Sequence, residues 1–310
     1  MALNYAEVWS PDLLEIMEQE SLTSPFVTTA VKWLSAKTFH FTQMSTSGYK
    51  SHSRLGGWNK GTFAQTDVPF TLTHDRDIQF MIDKIDVDET NETASIKNIS
   101  EVFHKTQQIP EMDAYFYSKV ATEAQKLEGY HSSTALSSYT KENVYGKLKA
   151  MLSAGKLRRY VAKGALIAYV NSTLMDLLEQ STDITRKIEM TQIAEGGIGI
   201  ETRITDIDGV TLIEVIDDER FYDKFDFTDG FTPVASTSHK INVLIASPLT
   251  VKTVPKIASI YYFNPGQHTE GDGYLYQDRS LSDTFVFPNG KDNKIDSIYV
   301  DVDTETYSAA

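Results

Sequence analysis

Two pairs of aspartates are the first residues whose spacing invites chemistry. Asp206 and Asp208 precede Gly209, and Asp226 and Asp229 precede Gly230. Oxygen ligands at such spacing can hold a divalent cation. A calcium loop, however, needs Asp-x-Asp-x-Asp-Gly with a glutamate near its end, and neither stretch supplies it. Solvated acidic turns fit better, with a metal-dependent enzyme using Asp206 and Asp208 as the rival reading. Gly196-Gly197-Ile198-Gly199 opens like a nucleotide loop but lacks the later glycine and the preceding strand, so it reads as the entry to a strand. The seven histidines show no His-Glu-x-x-His spacing, and neither Gly-x-Ser-x-Gly nor a phosphate-binding Gly-Lys-Ser/Thr loop occurs. The absence of cysteine excludes disulfides, thiolate zinc sites, iron–sulfur clusters and cysteine nucleophiles together. The sequence therefore assigns no catalytic residue, no metal ligand and no cofactor.

What remains is charge placed for contact. Lys50, Arg54 and Lys60 surround Trp58 in the polar, glycine-rich stretch 48–61. They can pair with carboxylates of another subunit or lie in solvent, where an exposed pair contributes about 0–1 kcal/mol. Asp75, Arg76 and Asp77 form a second cluster, and Arg279 and Asp283 lie far downstream. These five are expected to make ion pairs that fix the angle of the preceding segment or a neighbour contact, against an ordinary surface network. With 29 basic and 43 acidic residues the formal net charge is −14. A nucleic-acid binder concentrates basic charge to neutralise phosphates; here the basic stretches, 147–159 and 49–60, are short. Net acidity fits a surface that repels DNA, or one that simply stays soluble.

The elements that must position these residues follow from patterning. Ser10-Pro11-Asp12 starts a helix, with a cap, a first-turn proline and a dipole-complementing acid. Leu13, Leu14, Ile16 and Met17 give it one apolar side; with Trp9, it is expected to pack on its own domain or a neighbour, being too short to stand alone. Residues 38–44 and 63–73 alternate as strands around the polar tip. A lone two-stranded ribbon is marginal in water, so it is expected to rest on another subunit. Residues 91–108 read as a helix, Pro110 as a break or kink, and 111–128 as a second helix stopped by Gly129. Then come a helix at 141–154, a strand at 165–170 and a helix at 173–180 capped by Asn171 or Ser172. Strands at 198–204 and 210–216 are joined by the turn Asp206-Ile207-Asp208-Gly209. Further strands fall at 241–246, 251–256, 257–262, 284–287 and 297–302, which makes the class α+β without a regular repeat. The length leaves room for two folding units, and 41% hydrophobic residues suffice for a packed interior. No run approaches the roughly 20 apolar residues of a membrane span, and the first residues carry no basic-then-apolar signal, so the cytoplasm of the producing cell is the expected location.

The order of these segments is specific, and two stretches sharpen it. The first is Asp75-Arg76-Asp77-Ile78-Gln79-Phe80, Ile82-Asp83 and Asp86-Val87-Asp88-Glu89-Thr90, leading to Gln107-Gln108-Ile109-Pro110-Glu111-Met112-Asp113. The second is Lys240-Ile241-Asn242-Val243-Leu244-Ile245, then 251–256, 279–283, Phe285-Val286, Asn289-Gly290-Lys291 and Ile298-Tyr299. In order and pattern they resemble the major capsid proteins of tailed bacteriophages, the Hong Kong 97-type fold, in the group of gene-five-like coat proteins. The resemblance implies an N-terminal arm (1–36), a long β-hairpin extended loop (37–76), a peripheral domain with a spine helix (77–130 and 241–310) and an inserted axial domain (131–240).

By the same resemblance the chain is a major head protein and not an enzyme. It implies pentamers and hexamers that build an icosahedral shell around phage double-stranded DNA, held without sequence-specific binding. The implied partners are copies of itself, a separate scaffolding protein and a portal, with no membrane. The implied location is the virion, after assembly in the host bacterial cytoplasm. Some members of the fold join a hairpin lysine to a distant asparagine through an isopeptide bond. Lys50 or Lys60 with Asn289 or Asn293 could fill those roles, but the sequence supplies no buried, activated lysine with an assisting carboxylate. An encapsulin-like nanocompartment shell and another phage structural protein, such as a tail or decoration component, are the alternatives.

Overall fold

The computed structural model describes residues 20–29, 33, 35, 37–52, 56–85, 96–162, 164–181, 187–191, 202–289 and 294–308. β1 (Thr38–Thr46) and β2 (Phe63–Thr71) pair antiparallel in unbroken register, from Thr38 opposite Thr71 to Thr46 opposite Phe63. β3 (His74–Asp83) follows after Leu72 and Thr73. Next come α1 (Ile96–Phe103), a π-turn (His104–Gln108) and α2 (Ile109–Gln125), which run on without a break.

Of the break or kink expected at Pro110, the break does not occur. Proline has no N–H to give the carbonyl of Thr106, and in an ordinary helix its ring would press on that group. The wider turn shifts the pairing: Ile109 N donates to His104 O, and Pro110 falls in the first turn of α2, where a donor is not needed.

β4 (His131–Ser133), α3 (Val144–Leu152), α4 (Arg158–Val161), β5 (Ile167–Asn171) and α5 (Ser172–Gln180) lead to β6 (Lys187–Thr191), β7 (Thr202–Ile207) and β8 (Val210–Val215). The Asn171 side chain accepts from Thr173 N at 2.9 Å and caps α5. Asp208 and Gly209, at φ 52° and 78°, make the tight β7–β8 turn, a conformation that Asp-Gly permits. β9 (Phe225–Asp226) and β10 (Thr232–Pro233) form a small hairpin, and β11 (His239–Ala246), β12 (Val251–Phe263), β13 (Gly273–Val286) and β14 (Ile298–Thr306) complete the chain. Residues 251–256 and 257–262, expected as separate strands, form one strand with a register shift between Pro255 and Ile257. A residue without an N–H cannot serve the ladder, and a bulge absorbs it.

Beside the ribbon and the small hairpin, the described residues form two sheets, a large one of seven strands, ordered β4-β14-β11-β5-β8-β7-β6, and a small one of three, ordered β12-β13-β3. The middle strands of the large sheet are buried on both faces. Ala168, Val170, Val243 and Ile245 pack against α3 and α5 through Leu148, Met151, Leu174 and Leu178. Tyr169, Leu244, Ala246, Ile298 and Val300 meet Phe116, Val120 and Ala124 of α2, with Leu22 and Phe26 of the N-terminal segment.

The large sheet also runs across one boundary drawn from the sequence. The sequence reading separates 241–310 from an insert at 131–240, yet Val243–Ala246 pair with Ile167–Val170 on one edge and with β14 on the other. The division cuts through the middle of a sheet. A run such as Ile241–Ala246, buried throughout, announces a doubly covered strand but carries no alternation to say which strands flank it. Among the described residues no helix is long and apolar enough to cross a membrane.

Candidate functional site

The ribbon is held at its root. Phe39 and Leu72, each 2% exposed, pack with Val254, Leu281 and Phe287. Phe39 meets Phe285 edge-on at 5.2 Å and Phe70 meets Phe287 edge-on at 4.9 Å, an arrangement that aligns ring edges with ring faces. The Lys256 ammonium lies 3.9 Å from the Trp33 ring centroid and closes the side of this cluster.

Polar groups lock the same junction. Asp283 on β13 is buried, and its Oδ2 accepts from Thr73 N at 2.9 Å and from Thr73 Oγ1 at 2.8 Å, where the ribbon passes into β3. Its Oδ1 accepts from the Tyr115 hydroxyl of α2 at 2.8 Å and from Thr284 N at 2.8 Å, with Lys119 Nζ 3.8 Å away. One carboxylate thus ties ribbon, helix and sheet together.

Arg76 makes a second tie. Its Nε donates to Glu111 Oε1 at 2.6 Å, and its other nitrogens donate to Phe227 O and Gly230 O in the β9–β10 connection. His74 stacks on Tyr115 with centroids 3.8 Å apart, and its Nε2 stands 3.6 Å from Glu111 Oε1. Burial, reinforced by the Arg76 guanidinium, lowers the His74 pKa to about 4. Burial raises that of Glu111 against the pull of Arg76.

On the opposite face of the small sheet, Arg279 donates to Asp75 from Nε at 3.1 Å and from a terminal nitrogen at 3.0 Å, and Lys37 Nζ adds a contact at 3.1 Å. Hydrogen bonding from Arg279 first, and from Lys37 second, lowers the Asp75 pKa to about 2. Asp77 sits opposite Arg279 in the β3–β13 register but makes no ion pair among the described residues. Of the five charged residues singled out by sequence, the structure brings Asp75 to Arg279, Arg76 to Glu111 and Asp283 to Thr73 and Tyr115. Nothing local in the sequence names those last partners.

At the far end of the ribbon, Ser47 and Thr62 exchange hydrogen bonds at 2.8 and 2.9 Å. Lys50 Nζ donates to Lys60 O at 3.3 Å and Asn59 Nδ2 to Ser51 O at 2.9 Å, so the tip is tied to itself. Trp58 is 95% exposed, and Tyr49, Phe63 and Met44 are exposed with it. Arg54, Asn293, the glycines at 196–199 and the arm residues Trp9, Leu13, Leu14 and Met17 lie outside the described residues.

Sequence reasoning missed a buried ion pair. Arg220 donates to Asp113 Oδ2 at 3.1 Å and to Asp217; Asp113, fully buried on α2, also accepts from Ser21 Oγ at 2.9 Å, Leu22 N at 3.1 Å and Thr23 Oγ1 at 2.7 Å. It staples the N-terminal segment to the helix. An aspartate amid a helix of mixed polarity gives no sign of this. Asp208 pairs with Lys149 at 2.6 Å, and Asp226 accepts from Thr228 N and Oγ1 in its own turn. Among the described residues no three acidic or histidine side chains are placed to share a metal ion.

No family model and no curated protein matches the sequence. Solved structures do. The chain superposes on the structure titled "Asymmetric unit of bacteriophage PhiM1 mature capsid" with a TM-score of 0.64 and 12% identity, over 97% of this chain and 93% of that one. It superposes on the "Capsid structure of the Cyanophage P-SCSP1u" with a TM-score of 0.60 and 10% identity, over 97% and 94%. A structure from Mycobacterium phage Bobi gives 0.58 and 11%, over 97% and 96%. At such identities the likeness is one of architecture, and the architecture is that of the tailed-phage capsid subunit, the Hong Kong 97-type fold.

Proposed function

We propose that this protein is the major head protein of a tailed bacteriophage. Copies assemble into pentamers and hexamers, and these into an icosahedral shell that encloses double-stranded DNA without sequence-specific contacts. The role is structural, with no catalytic step, and the shell places the protein in the virion. A separate scaffolding protein and a portal are its expected partners during assembly in the host bacterial cytoplasm.

The observation that supports this most is the ribbon, whose end carries Trp58, Tyr49 and Phe63 uncovered by their own subunit. An isolated two-stranded ribbon has marginal stability, and large exposed apolar side chains grouped at its end mark a contact surface. In this reading Lys50, Arg54, Trp58 and Lys60 touch a neighbour. Asp75, Arg76, Asp77, Arg279 and Asp283 set the angle at which the ribbon leaves, and Trp9, Leu13, Leu14 and Met17 pack the arm. A contact made head to tail repeats until it closes on itself, which builds rings and shells.

Expression of the full chain, followed by light scattering and negative-stain microscopy, tests the proposal. Closed particles or rings of five or six copies support it. A chain that stays monomeric even after a scaffolding partner is added overturns it.

A further inference from the structure

We infer that the outer edge of β12, residues 257–263, pairs antiparallel with the same edge of a second copy of this chain, around a twofold axis at Ile260. The inference rests on the assembly reading above and adds to it a contact of another symmetry.

β12 and β3 are the two edges of the small sheet. Along β12 the outer side changes character midway. The first half is guarded: Val27 bridges Thr253, Thr28 N donates to Thr253 O at 2.9 Å, and the Lys256 ammonium lies against the Trp33 ring. Lys252, Pro255 and Lys256 supply the charge and the missing N–H that keep a sheet edge from accepting a foreign strand. The second half has no such protection. Ile257-Ala258-Ser259-Ile260-Tyr261-Tyr262-Phe263 carries neither charge nor proline, and among the described residues no strand pairs its outer side. Ile260, Tyr261 and Tyr262 are 65%, 54% and 47% exposed, and they alternate between the two faces. An apolar edge left open in this way is a template for another strand.

The residues on either side of Ile260 decide which strand fits. Antiparallel pairing centred there sets Ser259 against Tyr261, Ala258 against Tyr262 and Ile257 against Phe263 of the other copy. Opposed residues share a face of the sheet, so a small or β-branched side chain meets each aromatic ring. Lys256 falls opposite Asn264, and no like charges meet. Pro255 and Pro265 stand equidistant from Ile260 and end the pairing at both sides, because proline gives no N–H to a ladder.

The product joins two small sheets into one continuous sheet. The contact uses the same surface on both copies and closes after two, unlike a head-to-tail contact, which propagates. A single strand pair is smaller than a standard interface of roughly 1,600 Å², so it links copies that other contacts already hold together.

The absence of cysteine makes the test clean. Ile260→Cys faces its own copy across the axis, so oxidation of the assembled full chain is expected to give a reducible dimer on a denaturing gel. Tyr262→Cys alone and Lys252→Cys alone lie beyond the Cα separation of about 7 Å that a disulfide spans. Each is expected to give at least tenfold less dimer, and combining Ala258→Cys with Tyr262→Cys is expected to restore it. Particles whose Ile260→Cys chains run as monomers, or in which all three single variants link alike, overturn the inference. Should the cysteine variants not assemble, charge answers the same question. Ile260→Lys and Ile260→Glu each oppose themselves across the axis, and each is expected to raise the concentration needed for assembly at least tenfold. An equal mixture of the two is expected to recover most of that loss. Unchanged assembly of either variant, or no recovery in the mixture, overturns the inference. If the unmodified chain forms no particle, the assembly reading fails and takes the edge pairing with it; if particles form without the dimer or the charge effect, only the edge pairing fails.

Discussion

Thr73 and Asp283, 210 positions apart in the chain, are joined by two hydrogen bonds to a single carboxylate oxygen. The other oxygen of that carboxylate accepts from Tyr115 on α2. The angle at which the ribbon leaves the subunit is therefore set by a residue on a strand that the ribbon does not pair with. Replacing Asp283 by alanine removes the acceptor shared by Thr73 N, Thr73 Oγ1 and the buried Tyr115 hydroxyl. The expected cost is about 3 kcal/mol in chemical denaturation, from the loss of charge-assisted bonds and the stranding of donors. Limited proteolysis within 38–71 is expected to accelerate, and an unchanged cleavage rate would show that the aromatic root alone holds the ribbon.

Asp113→Ala is expected to destabilise the subunit by about 3–5 kcal/mol, because Arg220 keeps its buried charge while losing one acceptor. The retained contact to Asp217 argues for the low end of that range. The same change frees Leu22 N, Ser21 Oγ and Thr23 Oγ1, so amide protection at Leu22 is expected to fall first. A double variant, Asp113→Leu with Arg220→Met, removes both charges and is expected to recover most of the stability. If it remains as unstable as the single variant, the ion pair itself, and not the stray charge, is what the fold depends on.

Acid stability turns on His74. Its pKa of about 4 in the folded chain lies below the ordinary value of about 6.5, so the unfolded chain binds the extra proton first. The stabilising effect of keeping the ring neutral is present above about pH 6.5 and is lost as pH falls through the window from 6.5 to 4. Glu111, whose pKa is raised by burial, works in the opposite sense as its own proton binds. At about 1.4 kcal/mol per unit, the His74 contribution is at most about 3.5 kcal/mol, and the opposing Glu111 effect reduces it. Melting temperatures of the unmodified chain and of His74→Gln, measured at pH 7 and pH 4.5, check this. The unmodified chain is expected to lose more on acidification, and equal losses would remove His74 from the account.

Much of the architecture is legible in local rules. The alternation of β1 and β2, the Asn171 cap and the Asp208-Gly209 turn each depend on neighbours in sequence, and each stands where those neighbours put it. Pro110 is different: whether proline breaks a helix or is absorbed by a π-turn depends on what α2 packs against, and Phe116, Tyr117 and Val120 are buried between elements remote in sequence. The partners of β11 are hidden because a strand covered on both faces has no polar side to orient it. Charge misleads in a related way. Asp113, Asp223, Asp278, Asp283, Asp296, Asp301 and Asp303 are all buried. Asp301, for instance, accepts from Ser132, Thr134, Tyr139 and Asn242. Part of the net −14 therefore braces the interior and never faces a partner, which composition cannot reveal.

Phe39 and Trp58 occupy the two ends of one ribbon, and alanine at each is expected to separate folding from assembly. Phe39 is buried among Trp33, Phe70, Phe285 and Phe287. Truncating it opens a cavity in a packed cluster and is expected to cost the subunit about 3–5 kcal/mol. Trp58 touches little within its own subunit, so Trp58→Ala is expected to leave unfolding within about 0.5 kcal/mol of the unmodified chain. Its effect belongs to the assembled state: an anchor aromatic contributes about 2 kcal/mol or more per contact, which corresponds to roughly a thirtyfold weaker association at each one. The concentration at which light scattering first reports particles is then expected to rise by at least that factor, since in the proposed assembly every copy makes the contact. A variant that melts early while assembling at the usual concentration would reverse the assignment, making Trp58 a folding residue and leaving the ribbon tip without a role between subunits.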